Sequence, residues 1–564
     1  MSGKTKAVSS IVLLILALVG GFVLSGYLTL MMLGLHGTPL QWNTYWQYVQ
    51  AFDLPQVAPY VTKIKIAGVI GFGILLLLWF VLLYLILKPE RRSLHGDARF
   101  ASHGDLSRGG LLKPSSNGIV VGRMGSDLIR LAGTRHALLS APTRSGKGTG
   151  AVIPNLLTYE DSVVVLDIKQ EAYDITSGMR SKFGQVFLFN PFAEDLRTHC
   201  WNPMTYVSKD LKFRIDDLQA IAAILYEDDP NRDSFWTNQA RNCFLAAALY
   251  LFEQQDDDVR RGVNDEFQQP PTLGRIYRLF SGDGTDQKAY LGQLAQQDFL
   301  SRETKTAFSN LTALAEQTFA SVIGSFQEPL HIFLNPILDK SMSSDSFSLN
   351  DLRRQRMTIY VGISPNKLGE ARKILNIFFS QAIKLNVREL PEKNSALKYQ
   401  CLFLLDEFTS IGRVDILATS VSYVAGYNVR FFVVIQSLSQ LDAVYGAEVS
   451  RSLVTNLACQ VIYTPREQRD ANEYSEMLGF TTLRKRNRTR SSGGGSSSSV
   501  SYAEVEEKRA LMLPQELKAL DPEQEIIFIE GVSHPIKCTK IRYYKEKFFK
   551  ARLMPKIDVQ KLAL

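Results

Sequence analysis

The sequence predicts an α/β protein: a parallel sheet covered by helices on both faces, interrupted by an all-helical insertion and preceded by two membrane-spanning helices. Three observations predict this. From about residue 118, apolar β-branched runs such as "SVVVLDIK" and "GQVFLFNP" alternate with amphipathic stretches, the pattern of strands buried on both faces. Between about 206 and 351 the strand signal fades, and "FRIDDLQAIAAILYEDD" and "FWTNQARNCFLAAALYLFEQQ" repeat apolar residues with a helical period. Near the N-terminus, Val8–Met32 and Ile66–Leu87 run without a charged residue.

Each of those two runs is long enough to cross about 30 Å of hydrocarbon as a helix. A cleaved signal peptide would be shorter than the first and would end in small residues. The second is apolar around its whole circumference, so a helix there needs lipid or a very large core. Lys4 and Lys6 precede the first run and Lys88, Arg91 and Arg92 follow the second, whereas the intervening "LHGTPLQWNTYWQYVQAFDLPQVAPYVT" has no Lys or Arg. By the positive-inside rule, both termini and the bulk of the chain lie in the cytoplasm and the loop outside. Trp42, Tyr45, Trp46 and Tyr48 in that loop suit either a headgroup-level belt or a partner protein.

Further along, "HALLSA" reads as a strand leading into a glycine-rich stretch, and "AVIPNLL" as the helix after it. Strands resume after the insertion at "MTIYVGI", "CLFLLDEF" and "VRFFVVIQ". The expected organisation is therefore a membrane domain over 1–88, an α/β domain assembled from 89–205 and 352–564, and an all-α domain over 206–351. The stretch "LRKRNRTRSSGGGSSSSVS" is basic, then Ser/Gly-rich. It cannot bury a core, and 484–500 is expected to be a disordered surface loop.

Composition narrows the chemistry. A chain of 564 residues accommodates roughly three or four structural units. A net charge of +8 permits contact with nucleic acid or anionic lipid without arguing for either. The cysteines (Cys200, Cys243, Cys401, Cys459, Cys538) are far apart and form no CxxC pair, which suits reduced thiols and supports neither a disulfide framework nor a zinc site. The histidines lack HExxH spacing and no GxSxG elbow occurs, so zinc-protease and serine-hydrolase chemistry have no support.

What the sequence does carry is phosphate chemistry. "APTRSGKGTG" lies after an apolar strand and before a helix, where backbone N–H groups and the helix N-terminus favour a phosphate. The candidate cradle is Pro142, Thr143, Arg144, Ser145, Gly146, Lys147, Gly148 and Thr149, with Lys147 bridging the outer phosphates. Ala141 stands where such loops usually place their leading glycine, and Gly148 where they place Ser or Thr. The strand "CLFLL" ends in Asp406 and Glu407: an acid at a strand's C-terminal end can present its carboxylate to Mg²⁺, and its neighbour can orient and deprotonate an attacking water. Asp167 is a rival strand-end acid, placed to hold a ribose, a metal-bound water or Lys169. Gln436 ends another apolar strand and is placed to sense the γ-phosphate.

These blocks together, "APTRSGKGTGAVIPNLL", "SVVVLDIKQEAY", "FGQVFLFNP", "CLFLLDEFTSIG", "VRFFVVIQS" and "IKCTKIRYY" after twin apolar spans, resemble the TraG-type coupling ATPases of type IV secretion systems. The resemblance runs from the first span to about residue 545. It implies a RecA-like nucleotide domain with an inserted all-α domain that reads substrates, in a bacterial inner-membrane ATPase assembled as a homo-hexamer. By position, Lys147 and its loop are the Walker A site, Asp406 and Glu407 the Walker B pair, and Gln436 the sensor. ATP and Mg²⁺ are the implied cofactors, the metal resting on Asp406 and phosphate oxygens or on the Thr149 hydroxyl. An arginine from a neighbouring subunit should complete the site, with Arg430, Arg451 and Arg466 as candidates. The implied partners are channel components, other secretion ATPases, the bilayer, and secreted effectors or a relaxase–DNA complex. Two other functions compete: a DNA-translocating motor for conjugation or segregation, and a non-hydrolysing membrane-tethered receptor or scaffold, against which the intact Lys147, Asp406 and Glu407 speak.

Overall fold

The computed structural model describes residues 3–87, 94–228, 233–281, 286–491 and 499–564. The chain divides into two compact units, Met1–Leu94 and His95–Leu564.

The first unit is a pair of long helices, Gly3–Met32 and Val61–Leu87, with the short helix Thr44–Gln50 between them. Glycines set how closely the long helices approach. A Cβ on Gly21 would lie 2.4 Å from the Phe72 ring, and one on Gly71 would lie 2.8 Å from the Ser25 backbone nitrogen. Phe22 packs edge-on to Phe72 at 5.1 Å between centroids, and the Trp79 indole N–H donates to the Ser10 carbonyl at 3.1 Å. Both helices are long and apolar enough to cross a membrane. The second starts earlier than its apolar run and includes Lys63 and Lys65, so the loop side is not free of basic residues. Among the loop aromatics, Trp42 is 76% exposed, whereas Tyr45 packs against Phe72.

The second unit is built on strands β1 (Ile119–Met124), β2 (Asp127–Leu131), β3 (Ala137–Ser140), β4 (Ser162–Asp167), β5 (Gln185–Phe189), β6 (Met357–Gly362), β7 (Cys401–Leu405), β8 (Val429–Ile435) and β9 (Cys459–Ile462), the hairpin β10 (Phe480–Ser491) and β11 (Ser499–Ala510), and β12 (Gln524–Ile529) and β13 (Ile536–Thr539). All but the hairpin join one 11-stranded sheet in the order β2-β1-β13-β12-β9-β3-β8-β7-β4-β6-β5. From β9 to β5 every pairing is parallel; from β9 to β2 every pairing is antiparallel.

Every residue of β4, β6, β7 and β8 is buried, as a sheet covered on both faces requires. Side chains alternate between two cores. Val164 and Leu166 face one with Leu138, Phe403 and Val433, while Val163 and Val165 face the other with Leu139, Leu404 and Val434.

All described elements between β5 and β6 are helical. Helix Ser234–Arg260 is central to them, burying Cys243, Phe244 and Ala246–Ala248. These helices share one continuous core with a face of the sheet.

The disordered loop expected over 484–500 is corrected where it is described. β10 and β11 pair antiparallel from Phe480↔Ala510 to Ser491↔Ser499, and only 492–498 lies outside the described residues. The basic strand finds an acidic one across the ladder: Arg484 faces Glu506 and pairs with it at 2.8 Å, and Lys485 reaches the diagonal Glu507 at 2.6 Å. Lys508 also sits 3.7 Å over the Phe480 ring. Opposite charges facing each other on a hairpin stabilise it by a few tenths of a kcal/mol to about 1 kcal/mol per pair, an effect invisible when each half is considered separately.

Candidate nucleotide site

The site forms at the C-terminal edge of the parallel strands, where open α/β sheets bind ligands. β3 ends at Ser140, and the Ala141 N–H still donates to the Ile435 carbonyl of β8 at 2.9 Å. The chain then turns through Arg144 and Gly146, whose φ values of 61° and 89° lie in the left-handed region. A π-helical turn at Gly148–Val152 opens into helix Ile153–Thr158. Two of the glycines are obligatory for different reasons. A Cβ on Gly150 would meet the Tyr463 hydroxyl at 2.5 Å, and Gly146 needs its positive φ. At Gly148 nothing lies within 4 Å of where a Cβ would sit.

β7 brings the acids. In the sheet it is separated from β3 only by β8, and its end places Glu407 Oε1 2.8 Å and Asp406 Oδ1 3.4 Å from Lys147 Nζ. Glu407 has φ 54°, a backbone state that costs a non-glycine residue about 1–3 kcal/mol and that clusters at functional sites. Asp406 Oδ1 is closed to solvent and meets the Lys147 ammonium as an ion pair rather than through a well-aligned hydrogen bond. Burial raises the Asp406 carboxyl above the ordinary carboxylate range, with Lys147 pulling it back. Lys147, Gly148, Thr149, Asp167, Asp406 and Glu407 line one cavity of about 260 Å³.

The other expected residues fall into place unevenly. Asp167 lines the same cavity, and its carboxylate accepts the Tyr173 N–H at 2.7 Å and the Ala172 N–H at 3.4 Å, capping helix Glu171–Phe183. No Asp167–Lys169 ion pair forms among the described residues. Burial pushes the Asp167 carboxyl up to about 7 despite those donors. Gln436 stands one residue beyond β8, half-buried, between the strands that carry the loop and the acids; it is not among the cavity-lining residues. Pro142 is buried and Thr143 exposed, and the Ser145 hydroxyl is buried without a partner. The Thr149 hydroxyl donates to the Gly146 carbonyl at 3.0 Å.

The structure contradicts one arginine candidate. Arg430 begins β8, at the sheet's opposite edge, and is 0% exposed. Its guanidinium donates to the carbonyls of Arg135, Asn117 and Leu131, so it cannot reach a neighbouring subunit. Arg466 grips its own loop, donating to the Thr143 carbonyl at 3.0 Å and hydroxyl at 3.3 Å. Arg451 is exposed on helix Ala447–Asn456.

Residue-level reasoning missed Arg542 and Tyr543, just after β13. Arg542 Nη1 donates to Thr149 Oγ1 at 3.2 Å, and Tyr543 lines the cavity. Nothing in "IKCTKIRYY" signals this, because the contact spans 393 positions.

The fold and the loop define a RecA-like protein of the P-loop class. Residues 97–562 match the family described as type IV secretory system conjugative DNA transfer, and the chain belongs to that family. It is 30% identical over 478 residues to Protein VirD4 of Rhizobium rhizogenes, covering 83% of this chain and 68% of that one. Among solved structures it is similar to the bacterial conjugative coupling protein TrwBdeltaN70 in complex with sulphate (TM-score 0.57, 17% identity, 80% of this chain and 95% of that chain). It is also similar to plasmid coupling protein TrwB in complex with ADP and Mg²⁺ (TM-score 0.55, 16% identity, the same coverage). At these identities the likeness to TrwB concerns the fold.

Proposed function

We propose that this chain is a membrane-anchored ATPase that couples ATP hydrolysis to delivery of substrate to a type IV secretion channel. The observation that carries the reading is the convergence of Lys147, Asp406 and Glu407 at the C-terminal edge of the parallel sheet, in a chain of the conjugative-transfer family.

The residues present fit a magnesium nucleotide. Asp406 Oδ1 is a closed-off acceptor faced by the Lys147 ammonium at 3.4 Å, and Mg²⁺, which keeps several waters, needs only one or two carboxylates besides phosphate oxygens. Asp406 would hold the ion, which would neutralise phosphate charge, and the Thr149 hydroxyl is a second ligand candidate. TrwB, of the same fold, has been solved with ADP and Mg²⁺.

Lys147 would lie against the outer phosphates and offset the charge that builds on their oxygens. When phosphate oxygens take up its ammonium, Glu407 is released to orient a water in line with the γ-phosphate and accept its proton. Gln436, at the end of the strand between loop and acids, would report whether the γ-phosphate is present. A neighbour's arginine would complete the site in a hexameric ring, with Arg451 the exposed candidate.

The two apolar helices would anchor the protein in the bacterial inner membrane. Lys4, Lys6, Lys88, Arg91 and Arg92 flank their outer ends against Lys63 and Lys65 on the loop side, which favours a cytoplasmic body. The helical segment 206–351 would read substrates. The family's description, conjugative DNA transfer, favours a relaxase–DNA complex as cargo, with protein effectors as the alternative.

The test is ATP turnover by the purified full chain in detergent. Lys147→Ala should abolish it while the protein still fractionates with membranes; retained turnover would remove this loop from the reaction.

A further inference from the structure

The phosphate loop has little of its own to hold it in shape. Gly146, Gly148 and Gly150 fall within five positions, and each glycine gives up more conformational freedom on ordering than any other residue, about 0.5–1 kcal/mol relative to alanine. The hydroxyl usual after the lysine is missing at Gly148. The stiffening must come from outside the loop.

Arg466 holds the start of the loop at Thr143 and Glu407 holds its lysine; the Gly146–Thr149 turn is held by the segment after β13. Arg542 Nη1 occupies the space beside Gly146, where a Cβ would lie 2.0 Å from it, and donates to Thr149 Oγ1 at 3.2 Å. The other edge of the same guanidinium is held in a fork: Nε donates to Glu523 Oε2 and Nη2 to Glu523 Oε1, both at 3.2 Å. A bidentate arginine–carboxylate pair of this kind fixes orientation as well as position. The Thr149 hydroxyl passes the restraint on, since its own hydrogen goes to the Gly146 carbonyl. Thr149 lines the cavity and Arg542 does not.

We propose that Arg542, oriented by Glu523, is the positioning residue of the phosphate loop: it holds the Gly146–Thr149 turn in the form that grips a nucleotide's phosphates, without touching the nucleotide. The inference rests on the nucleotide-site reading above. It also gives the antiparallel extension of the sheet a function, because Glu523 directly precedes β12 and Arg542 follows β13, so any shift of that extension is felt at the loop.

The test is ADP affinity in the presence of Mg²⁺, measured with a fluorescent ADP on the full chain in detergent, alongside the melting temperature without nucleotide. Arg542→Ala should weaken binding about tenfold, and Glu523→Gln should do so in the same direction. The double variant should be no weaker than Arg542→Ala alone, as expected of residues acting as one unit. Arg542→Lys, which keeps the charge but not the fork, should be intermediate; if Arg542→Ala does not fold, Arg542→Lys and Glu523→Gln decide. Unchanged affinity in a folded Arg542 variant, or additive losses, would overturn the inference. So would tighter binding by Glu523→Gln, which would make Arg542 a direct phosphate ligand. Lys147→Ala separates the two readings: if it binds ADP normally, the site itself is wrong, whereas lost binding there with an unaffected Arg542→Ala defeats this inference alone.

Discussion

Lys147 Nζ and Glu407 Oε1 lie 2.8 Å apart across 260 positions of chain. The contact joins the loop after β3 to the end of β7, with Asp406 Oδ1 3.4 Å from the same nitrogen. It pairs the proposed phosphate-binding cation with the proposed base, so one must release the other before both can work. That exchange makes the pair a direct probe of mechanism.

Glu407→Gln removes the base and loosens the hold on Lys147. Turnover should fall by about 10²–10⁴-fold, the usual share of a positioned general base, while nucleotide affinity stays the same or rises. Steady-state ATPase measured beside equilibrium nucleotide binding checks this; equal losses in both would mean that Glu407 serves binding rather than chemistry.

Arg430→Ala should cost stability and nothing specific to subunit contact. It strips the donor from the buried carbonyl of Leu131 and from the half-buried carbonyls of Asn117 and Arg135, and a buried acceptor left without a partner costs about 1–3 kcal/mol. A sharp drop in melting temperature or loss of soluble protein is expected. A well-folded variant defective only in assembled-ring turnover would contradict the structural role given to this residue.

Glu525 predicts a pH effect. It is buried in β12, with the Cys538 thiol 3.6 Å away, and burial pushes its carboxyl up to about 8 from an ordinary 4.5, with Lys540 as the main opposing charge. Because the folded pKa is the higher one, the folded state binds more protons between those values, and this group's contribution to stability falls as pH rises from about 4.5 to about 8. Lys540, lowered to about 8 by burial, acts only above that window, where rising pH restores stability. Melting temperatures of the wild type and Glu525→Gln at pH 6 and pH 8 test the sign: the variant should gain on the wild type at pH 8 relative to pH 6.

The β10–β11 hairpin should protect its amides. Hydrogen exchange at Thr481–Lys485 and Val505–Arg509 is expected to be slowed by the ladder, and Arg484→Glu should speed it while Arg484→Glu/Glu506→Arg recovers it. Exchange at unprotected rates throughout both strands would restore the loop expectation.

Most of the α/β body was legible in the sequence because strands buried on both faces leave unmistakable apolar runs: "SVVVLD", "MTIYVG", "CLFLL" and "VRFFVVI" each became a strand of the parallel sheet. The antiparallel extension was less legible, since β1 (IVVGRM), β2 (DLIRL), β12 (QEIIFI) and β13 (IKCT) are short, break their apolar residues with glycine or charge, and in part depend on partners far away in the chain. The hairpin was misread for the same reason: a basic strand and an acidic strand look like two solvated segments until they are placed opposite each other.

The sequence by itself determined the chemistry on offer: two membrane-length apolar helices, a glycine-rich loop with Lys147, and an acidic pair at a strand end. Those are local properties, written in hydrophobic period, glycine placement and charge. Only the tertiary structure decided which groups meet. It put Lys147 against Glu407, turned Asp167 to cap a helix, sent Arg430 to the far edge of the sheet and set Arg542 against the loop. Strand order decides such contacts, and strand order depends on pairing and packing summed over the whole sheet rather than on any one segment's pattern.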